Sequence, residues 1–306
     1  MHTEKLRSER AGPVSSADRV LAPLVACPAC RLPIALDLRC TGCGWHGVPG
    51  AFPDFVAERE VSDAEKAEMA AQSRAVVDYY ENEEKLSCHW DRMSAADLPG
   101  LAGSPSGIVL DLGCGTGSAG AAFHASGATV VGADLSPACL DVARTRLDAV
   151  VRCNASHLPF RDGAFDAVIA RGALHHLERP EEALAEAKRV MRPGATLLVL
   201  DPREFKWLEP IKHFIRQSDD SFTDDHHAYS VAEYRALIAR EFDVEDVQTM
   251  HPFAILITVG LDLFPLPRAL PKRAFTRRLL SFESSLNKTP LRSFGHLLSV
   301  RARKRA

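Results

Sequence analysis

The sequence predicts an α/β fold: a doubly wound parallel sheet with a small cysteine-bearing module ahead of it and a helical insertion before its last strand. Three observations carry this. The run Val109-Leu-Asp-Leu-Gly-Cys-Gly-Thr-Gly117 feeds a β-branched strand entry into an acidic residue and three glycines at alternate positions. That is the composition of a tight strand-to-helix crossing, where the backbone takes positive φ and approaches a ligand closely. A second strand, Ala128 to Ala133, ends in Asp134, about twenty residues beyond the first acidic position, where such sheets place a carboxylate that accepts from ribose hydroxyls. Strand-like and helix-like segments then alternate, the pattern of a parallel sheet.

In chain order, Met1 to Val20 is rich in Ser, Glu and Arg and lacks periodicity, so it reads as a disordered leader with order beginning near Leu21. Cys27-Pro-Ala-Cys30 and Cys40-Thr-Gly-Cys43 are two C-x-x-C pairs separated by nine residues, in which Ile34, Leu36 and Leu38 alternate. Four thiolates at this spacing suit a tetrahedral zinc ion, with Gly42 and Gly44 easing the turns. A closed four-thiolate set leaves no position for chemistry, so the metal is expected to be structural and His46 redundant. The alternative is four unrelated core or redox cysteines. This module spans 21–57. Residues 58–104 form a helical connector dominated by Ala, Glu, Met and Gln and ended by Pro99-Gly100.

The remaining 105–306 hold the sheet. Strands are expected near 107–112, 128–134, 149–153, 165–170 and 195–201, with helices near 117–126, 137–147 and 181–191. The helix Val231 to Arg240 follows, and the strands Val244 to Met250 and Phe294 to Arg301 close the sheet. Ligands bind beyond the carboxyl ends of parallel strands, so Asp111 with its glycine turn, Asp134, Asn154 and Arg171 should converge on one crevice.

The glycine spacing D-x-G-x-G-x-G differs from the G-x-G-x-x-G of dinucleotide binders, so no pyrophosphate is implied. Together with Val131 to Ser136, Cys153 to Phe160, Phe165 to His176 and Val190 to Pro202, the run resembles class I S-adenosylmethionine-dependent methyltransferases of the ubiquinone and menaquinone methyltransferase type, with a Rossmann-like fold. The segment Gly44-Trp-His-Gly-Val-Pro-Gly-Ala-Phe-Pro-Asp-Phe55 likewise resembles Trm112-like zinc ribbons. The resemblance implies that Asp111, Gly113, Gly115 and Gly117 cradle the methionine and ribose of S-adenosylmethionine. It further implies that Asp134 takes the ribose hydroxyls, Leu135 packs on adenine, and Asn154, Ala155 and Arg171 complete the cofactor site. Asn154 stands where the family's D-A-x-x-L-P-F block has its acidic residue; an amide oxygen can still accept a hydrogen bond, without charge. Cap helices of this family line the pocket, which makes Tyr79, Tyr80, His89 and Trp90 candidates.

Arg171-Gly-Ala-Leu-His-His176 lacks the Asn-Pro-Pro-Tyr type motif of enzymes acting on base or glutamine amide nitrogens, which disfavours those acceptors. His175 and His176 are candidate catalytic bases, or equally caps of the fourth strand; transfer from a sulfonium relies mostly on alignment and needs no obligatory base. The acidic run Asp219 to Tyr229 carries metal-ligand residue types but suits a solvated loop flanking the acceptor pocket.

From Leu263 onward there are eleven Lys or Arg and one acidic residue, a net +10 within a chain of −3. The insertion 253–292 sets Phe264, Leu266, Leu270, Phe275, Leu279, Leu280, Phe282 and Leu286 beside Arg268, Lys272, Arg273, Arg277, Arg278 and Lys288. That pattern fits an anionic lipid surface or lipid-linked acceptor, fits nucleic acid less well, and equally fits a packed lid or dimer contact. No apolar run reaches membrane-spanning length and the first twenty residues lack an apolar signal core, so a cytoplasmic protein is expected, peripheral to the inner face of the membrane if the insertion docks there. The expected activity is methyl transfer to a small-molecule or lipid-like acceptor. A ribosomal RNA guanine methyltransferase and a non-catalytic methyltransferase partner subunit are the alternatives. The oligomeric state is not encoded in any motif.

Overall fold

The computed structural model describes residues 15–35, 37–56, 61–204, 229–253, 261–262 and 271–305. Most of the expected leader, Leu36, the acidic run up to Ala228, and Phe264, Leu266, Arg268 and Leu270 of the insertion lie outside these residues. Order begins earlier than Leu21. Ser15 and Asp18 form a reciprocal capping box that starts α1, Ser16–Leu21, and Leu21 is fully buried in the main core.

The cysteine module is built from isolated bridges (Ala26↔Pro33, Arg39↔His46, Val48↔Asp54) among the described residues, and Leu38 sits at φ 56°. The module is not free-standing. Val25 pairs with Phe160, and Asp54 pairs in parallel with Arg152 at the outer edge of the sheet. Leu24, Val25, Ile34, Leu38 and Phe55 belong to the same apolar cluster as the sheet strands.

The connector is helical: α2, Asp63–Ala75, starts at a Ser62–Glu65 capping box and runs into a π-helical turn, Val76–Tyr80. Next come α3, Leu86–Ser94, a 3₁₀ turn, Ala95–Asp97, and α4, Leu98–Leu101. Pro99-Gly100 therefore does not end the helical segment. Pro99 occupies the first turn of α4, where a missing N–H costs nothing, and the chain turns at Gly103 with φ 79°.

The sheet has seven strands in the order β3-β2-β1-β4-β5-β7-β6. β1 (Ile108–Leu112), β2 (Thr129–Asp134), β3 (Ala149–Arg152), β4 (Phe165–Arg171) and β5 (Met191–Pro202) are parallel. Their crossings use α5 (Ser118–Ala121), α6 (Pro137–Ala143) and α7 (Pro180–Val190). After α8 (Val231–Ala239), β6 (Phe242–Met250) pairs antiparallel with β7 (Leu297–Lys304). The last strand starts at Leu297, not at Phe294, which lies in the 3₁₀ turn Pro290–Phe294. Gly295 follows because a Cβ there would stand 2.3 Å from the Met250 nitrogen.

Between β6 and β7, α9 (Lys272–Leu286) packs along α3. Thr276 and Glu283 on its inner face are fully buried, and Leu279 and Leu280 pack on the core. Asp262 caps α3 from the insertion: its carboxylate accepts from the Leu86 and Ser87 N–H groups at 2.7 and 2.8 Å. Lys85, the N-cap residue, provides no such bond.

Candidate functional site

The carboxyl ends of β1 and β2 bring Asp111, the glycine turn and Asp134 together. Gly113, Gly115 and Gly117 take φ of 66°, 51° and 81°. A Cβ on Gly113 would meet Ala173 at 2.7 Å, whereas nothing lies within 4 Å of one built on Gly115. The outer glycines serve packing, and the middle one faces open space over the strand ends. Asp134 accepts from Gly115 N–H and Ser136 N–H, both at 2.8 Å, which shapes the turn. Burial raises its carboxyl above the usual range against these bonds.

Asp111 is 1% exposed. One carboxylate oxygen accepts from Gly120 N–H at 2.8 Å and fixes the start of the following helix; the other, Oδ1, has no partner among the described residues. Burial pushes its pKa up to about 7, partly offset by the Gly120 bond and raised further by Asp134. An orphaned buried carboxylate oxygen beside an open glycine turn is the environment a cationic ligand group completes.

Leu135 is partly exposed beside the turn, and its carbonyl accepts from Arg152 Nε at 3.0 Å. Arg152, nine-tenths buried, also pairs with Asp54 of the cysteine module at 3.0 Å. Asn154 Oδ1 accepts from Ser156 N–H at 2.9 Å, so the expected acceptor already has a donor. Its amide nitrogen donates to Glu65 Oε1 at 2.6 Å. Glu65 thus brings a carboxylate next to the position where the expected acidic residue is replaced, a neighbour that no motif of the sequence marks. Ala155 is half-buried against the core.

Arg171, at the end of β4, is taken up by the cap. It donates to the Asp91 carbonyl and Ser94 Oγ at 3.0 and 2.8 Å, pairs with the Asp91 carboxylate at 3.2 Å, and lies 5.4 Å over the Trp90 ring. Of the cap candidates, Trp90 is buried and Tyr80 is half-buried; burial and Asp91 push the Tyr80 phenol upward. Tyr79 stacks under Lys85 and His89 pairs with the Glu83 carbonyl. Glu81 and Arg146 tie the cap to the turn, because Arg146 donates to Glu81 at 2.8 Å and to the Thr116 carbonyl at 3.0 Å.

His175 is buried, with Nδ1 2.7 Å from Asp201 Oδ1, and Asp201 also accepts from the Tyr234 hydroxyl. That network joins β5 to α8. His176 lies with its ring centroid 3.9 Å from that of His175 and its Nδ1 3.1 Å from Glu68 Oε1. It lines a cleft of about 780 Å³ with Glu65, Glu68, Tyr229 and Glu233.

The Sγ atoms of Cys27, Cys30, Cys40 and Cys43 all lie within 4.8 Å of one another, with the Cys27–Cys43 and Cys30–Cys40 separations 3.6 and 3.4 Å. Tetrahedral Zn–S bonds of about 2.3 Å require S···S separations of about 3.8 Å, so the donor set fits zinc. The Cys43 and Gly42 N–H groups bring the Cys40 thiol down to about 6 against the effect of burial, while Cys27, Cys30 and Cys43 are raised, so the first thiolate of the set resides on Cys40. The other four cysteines, Cys88, Cys114, Cys139 and Cys153, are buried.

Residues 110–199 match the family described as a methyltransferase domain. The chain is 43% identical over 98 residues to a demethylmenaquinone methyltransferase of Clavibacter sepedonicus, covering 30% of this chain and 40% of that protein. It is 38% identical over 101 residues to the mouse protein named "Probable tRNA methyltransferase 9B", covering 31% and 22%. The chain thus spans less than half the length of these relatives. In three dimensions it superposes with a TM-score of 0.52 on a SAM-dependent methyltransferase of Thermotoga maritima at 20% identity, over 77% of this chain and 99% of that one, a likeness of fold. Residues 110–199 thus match a methyltransferase domain, and the strand order is that of a Rossmann-like sheet, the fold shared with the Thermotoga structure.

Proposed function

We propose that the protein is an S-adenosylmethionine-dependent methyltransferase acting on a quinone-like small molecule. The observation that carries the reading is the open Gly115 backbone flanked by Asp134 and by the orphaned Oδ1 of Asp111. In this reading Asp111 takes the ammonium of the cofactor's methionine part. Asp134 takes the ribose hydroxyls, Leu135 and Ala155 border adenine, and the pair Asn154–Glu65 addresses its amino edge. Bound cofactor would supply an electrophilic methyl, taken up by an electron pair of the acceptor as the methyl–sulfur bond breaks with its pair left on sulfur and the acceptor's proton passes to water. The protein's contribution is alignment and exclusion of water. Arg171 anchors the cap over the crevice and Arg146 couples the cap to the glycine turn. Zinc on the four thiolates would be a structural metal, stiffening the module whose Asp54 holds Arg152, and through Arg152 the Leu135 carbonyl.

The quinone-like acceptor is supported by the demethylmenaquinone methyltransferases among the relatives. Peripheral contact with an anionic membrane is supported by α9, whose inner face is packed while Arg273, Arg277, Arg278 and Phe282 on its outer side are exposed. Among the described residues no helix is long and apolar enough to cross a membrane.

The test is transfer of label. Purified protein with methyl-labelled S-adenosylmethionine and cell extract should place the label in the lipid or small-molecule fraction. Label in RNA instead would favour the nucleic-acid alternative. No labelled product in any fraction, with the cofactor bound, would support a non-catalytic subunit.

A further inference from the structure

Two neighbouring buried rings at the carboxyl end of the sheet, outside the 110–199 segment, each carry a polar atom with no partner among the described residues. Trp90 on α3 is 7% exposed and, among the described residues, its Nε1–H has no acceptor; His251, just past β6, is 4% exposed and its Nδ1 likewise has no partner among them. The two rings meet edge to face, with centroids 6.0 Å apart at 83°. Arg171 lies over the same indole, at the end of the strand beyond which this fold binds its ligands. His251 is held there deliberately by its backbone: it takes φ 56°, a left-handed conformation unusual for histidine. Its N–H donates to Asn287 Oδ1 and its carbonyl accepts from His296 N–H, at 3.1 and 3.3 Å. Buried polar atoms without partners are uncommon and point to a missing group.

We propose that Trp90 Nε1 and His251 Nδ1, beside the Arg171 guanidinium, form the acceptor subsite and hydrogen-bond the ring oxygens of a hydroxylated or quinol-type aromatic. This rests on the methyltransferase reading above and specifies how its acceptor is chosen. An indole N–H can only donate, so it selects an oxygen or other acceptor atom. Asp91 pairs with the Arg171 guanidinium, so the discrimination against a cationic amine rests on the indole N–H, which finds no acceptor on an ammonium group. Burial, with the Arg171 charge, brings His251 down to about 4. The imidazole is therefore neutral at pH 7 and serves as a hydrogen-bonding group, not a proton store. The indole and imidazole faces supply apolar area for a flat ring.

The experiment uses the full chain with zinc bound, S-adenosylmethionine, and 1,4-naphthoquinol kept reduced under argon as the probe. 1-Aminomethylnaphthalene, a cation with the same ring, is the counter-probe. The variants are Trp90→Phe, which removes the N–H, and His251→Asn, chosen because asparagine tolerates left-handed backbone. Each should raise KM for naphthoquinol about tenfold, the equivalent of one lost buried hydrogen bond. S-adenosylhomocysteine affinity and the unfolding midpoint, which report a merely structural role, should stay unchanged. The wild type should leave the amine unmethylated. Naphthoquinol methylation with unchanged KM in both variants would overturn the subsite and leave the methyltransferase reading standing. So would methylation of the amine in preference to the quinol. A wild type that binds no S-adenosylmethionine would overturn both.

Discussion

Asp111→Asn separates the two demands placed on the buried carboxylate. Burial raises the folded pKa from 3.8 to about 7, so the folded state holds a proton that the unfolded chain releases in that interval. The wild-type fold is therefore progressively destabilised as pH rises from about 4 to about 7, and the loss is complete above the folded pKa. At about 1.4 kcal/mol per unit over roughly three units, it amounts to about 4 kcal/mol. Asparagine does not titrate. Its carbonyl can still accept from Gly120 N–H, while its amide introduces an unpartnered donor costing about 1–3 kcal/mol at every pH. The variant should be less stable than the wild type near pH 4 and at least as stable above pH 7.5, with the difference between them shifting by about 4 kcal/mol. Urea unfolding of both proteins across pH 4–9 measures this directly, and any metal loss in acid is common to both and cancels in the comparison. A stability difference that stays constant between pH 4 and 7 would refute the assignment of the raised pKa to Asp111. The same variant should bind S-adenosylhomocysteine more weakly by about 1.5–3 kcal/mol, as expected for one charge-assisted bond.

Three further outcomes follow from the packing. Metal analysis should find one zinc per chain, and Cys40→Ser should release it and weaken cofactor binding as well, because the module holds Arg152 through Asp54; unaltered affinity would show that the module is uncoupled from the crevice. Asp262→Ala should cost about 1–2 kcal/mol by uncapping α3 and expose the cap to limited proteolysis; an unshifted melting curve would contradict the capping role. Replacing Arg273, Arg277 and Arg278 by Glu should abolish sedimentation with anionic vesicles while barely moving stability, since all three side chains are exposed; a wild type that ignores such vesicles would leave α9 as a packed lid.

The parts of the site that come from contiguous residues were legible in the sequence. Asp111, the glycines and Asp134 are set by one strand-turn-helix crossing and the next strand end, and the four cysteines by two short turns; spacing alone defines such local geometry. What the sequence did not show depends on contacts between distant segments. The cysteine module reads as a separate unit, yet Asp54 joins the edge of β3, 98 residues away. The insertion fits a lipid-facing surface and a packed lid equally by sequence; that it caps α3 through Asp262 across 176 residues and packs its inner face on the cap is visible only in three dimensions. Glu65 beside Asn154 leaves no periodic or spacing signal linking the two. Arg171 stands toward the cofactor by resemblance alone; that its guanidinium holds the cap helix depends on Asp91 and Ser94 lying opposite, which no local pattern encodes.

The most direct test of the central claim is calorimetric titration of the zinc-loaded protein with S-adenosylmethionine. One site per chain is expected. In Asp134→Ala, which removes the acceptor of the Gly115 and Ser136 N–H groups, affinity should fall by about 2–4 kcal/mol. No binding by the wild type, or equal affinity in the variant, would contradict it.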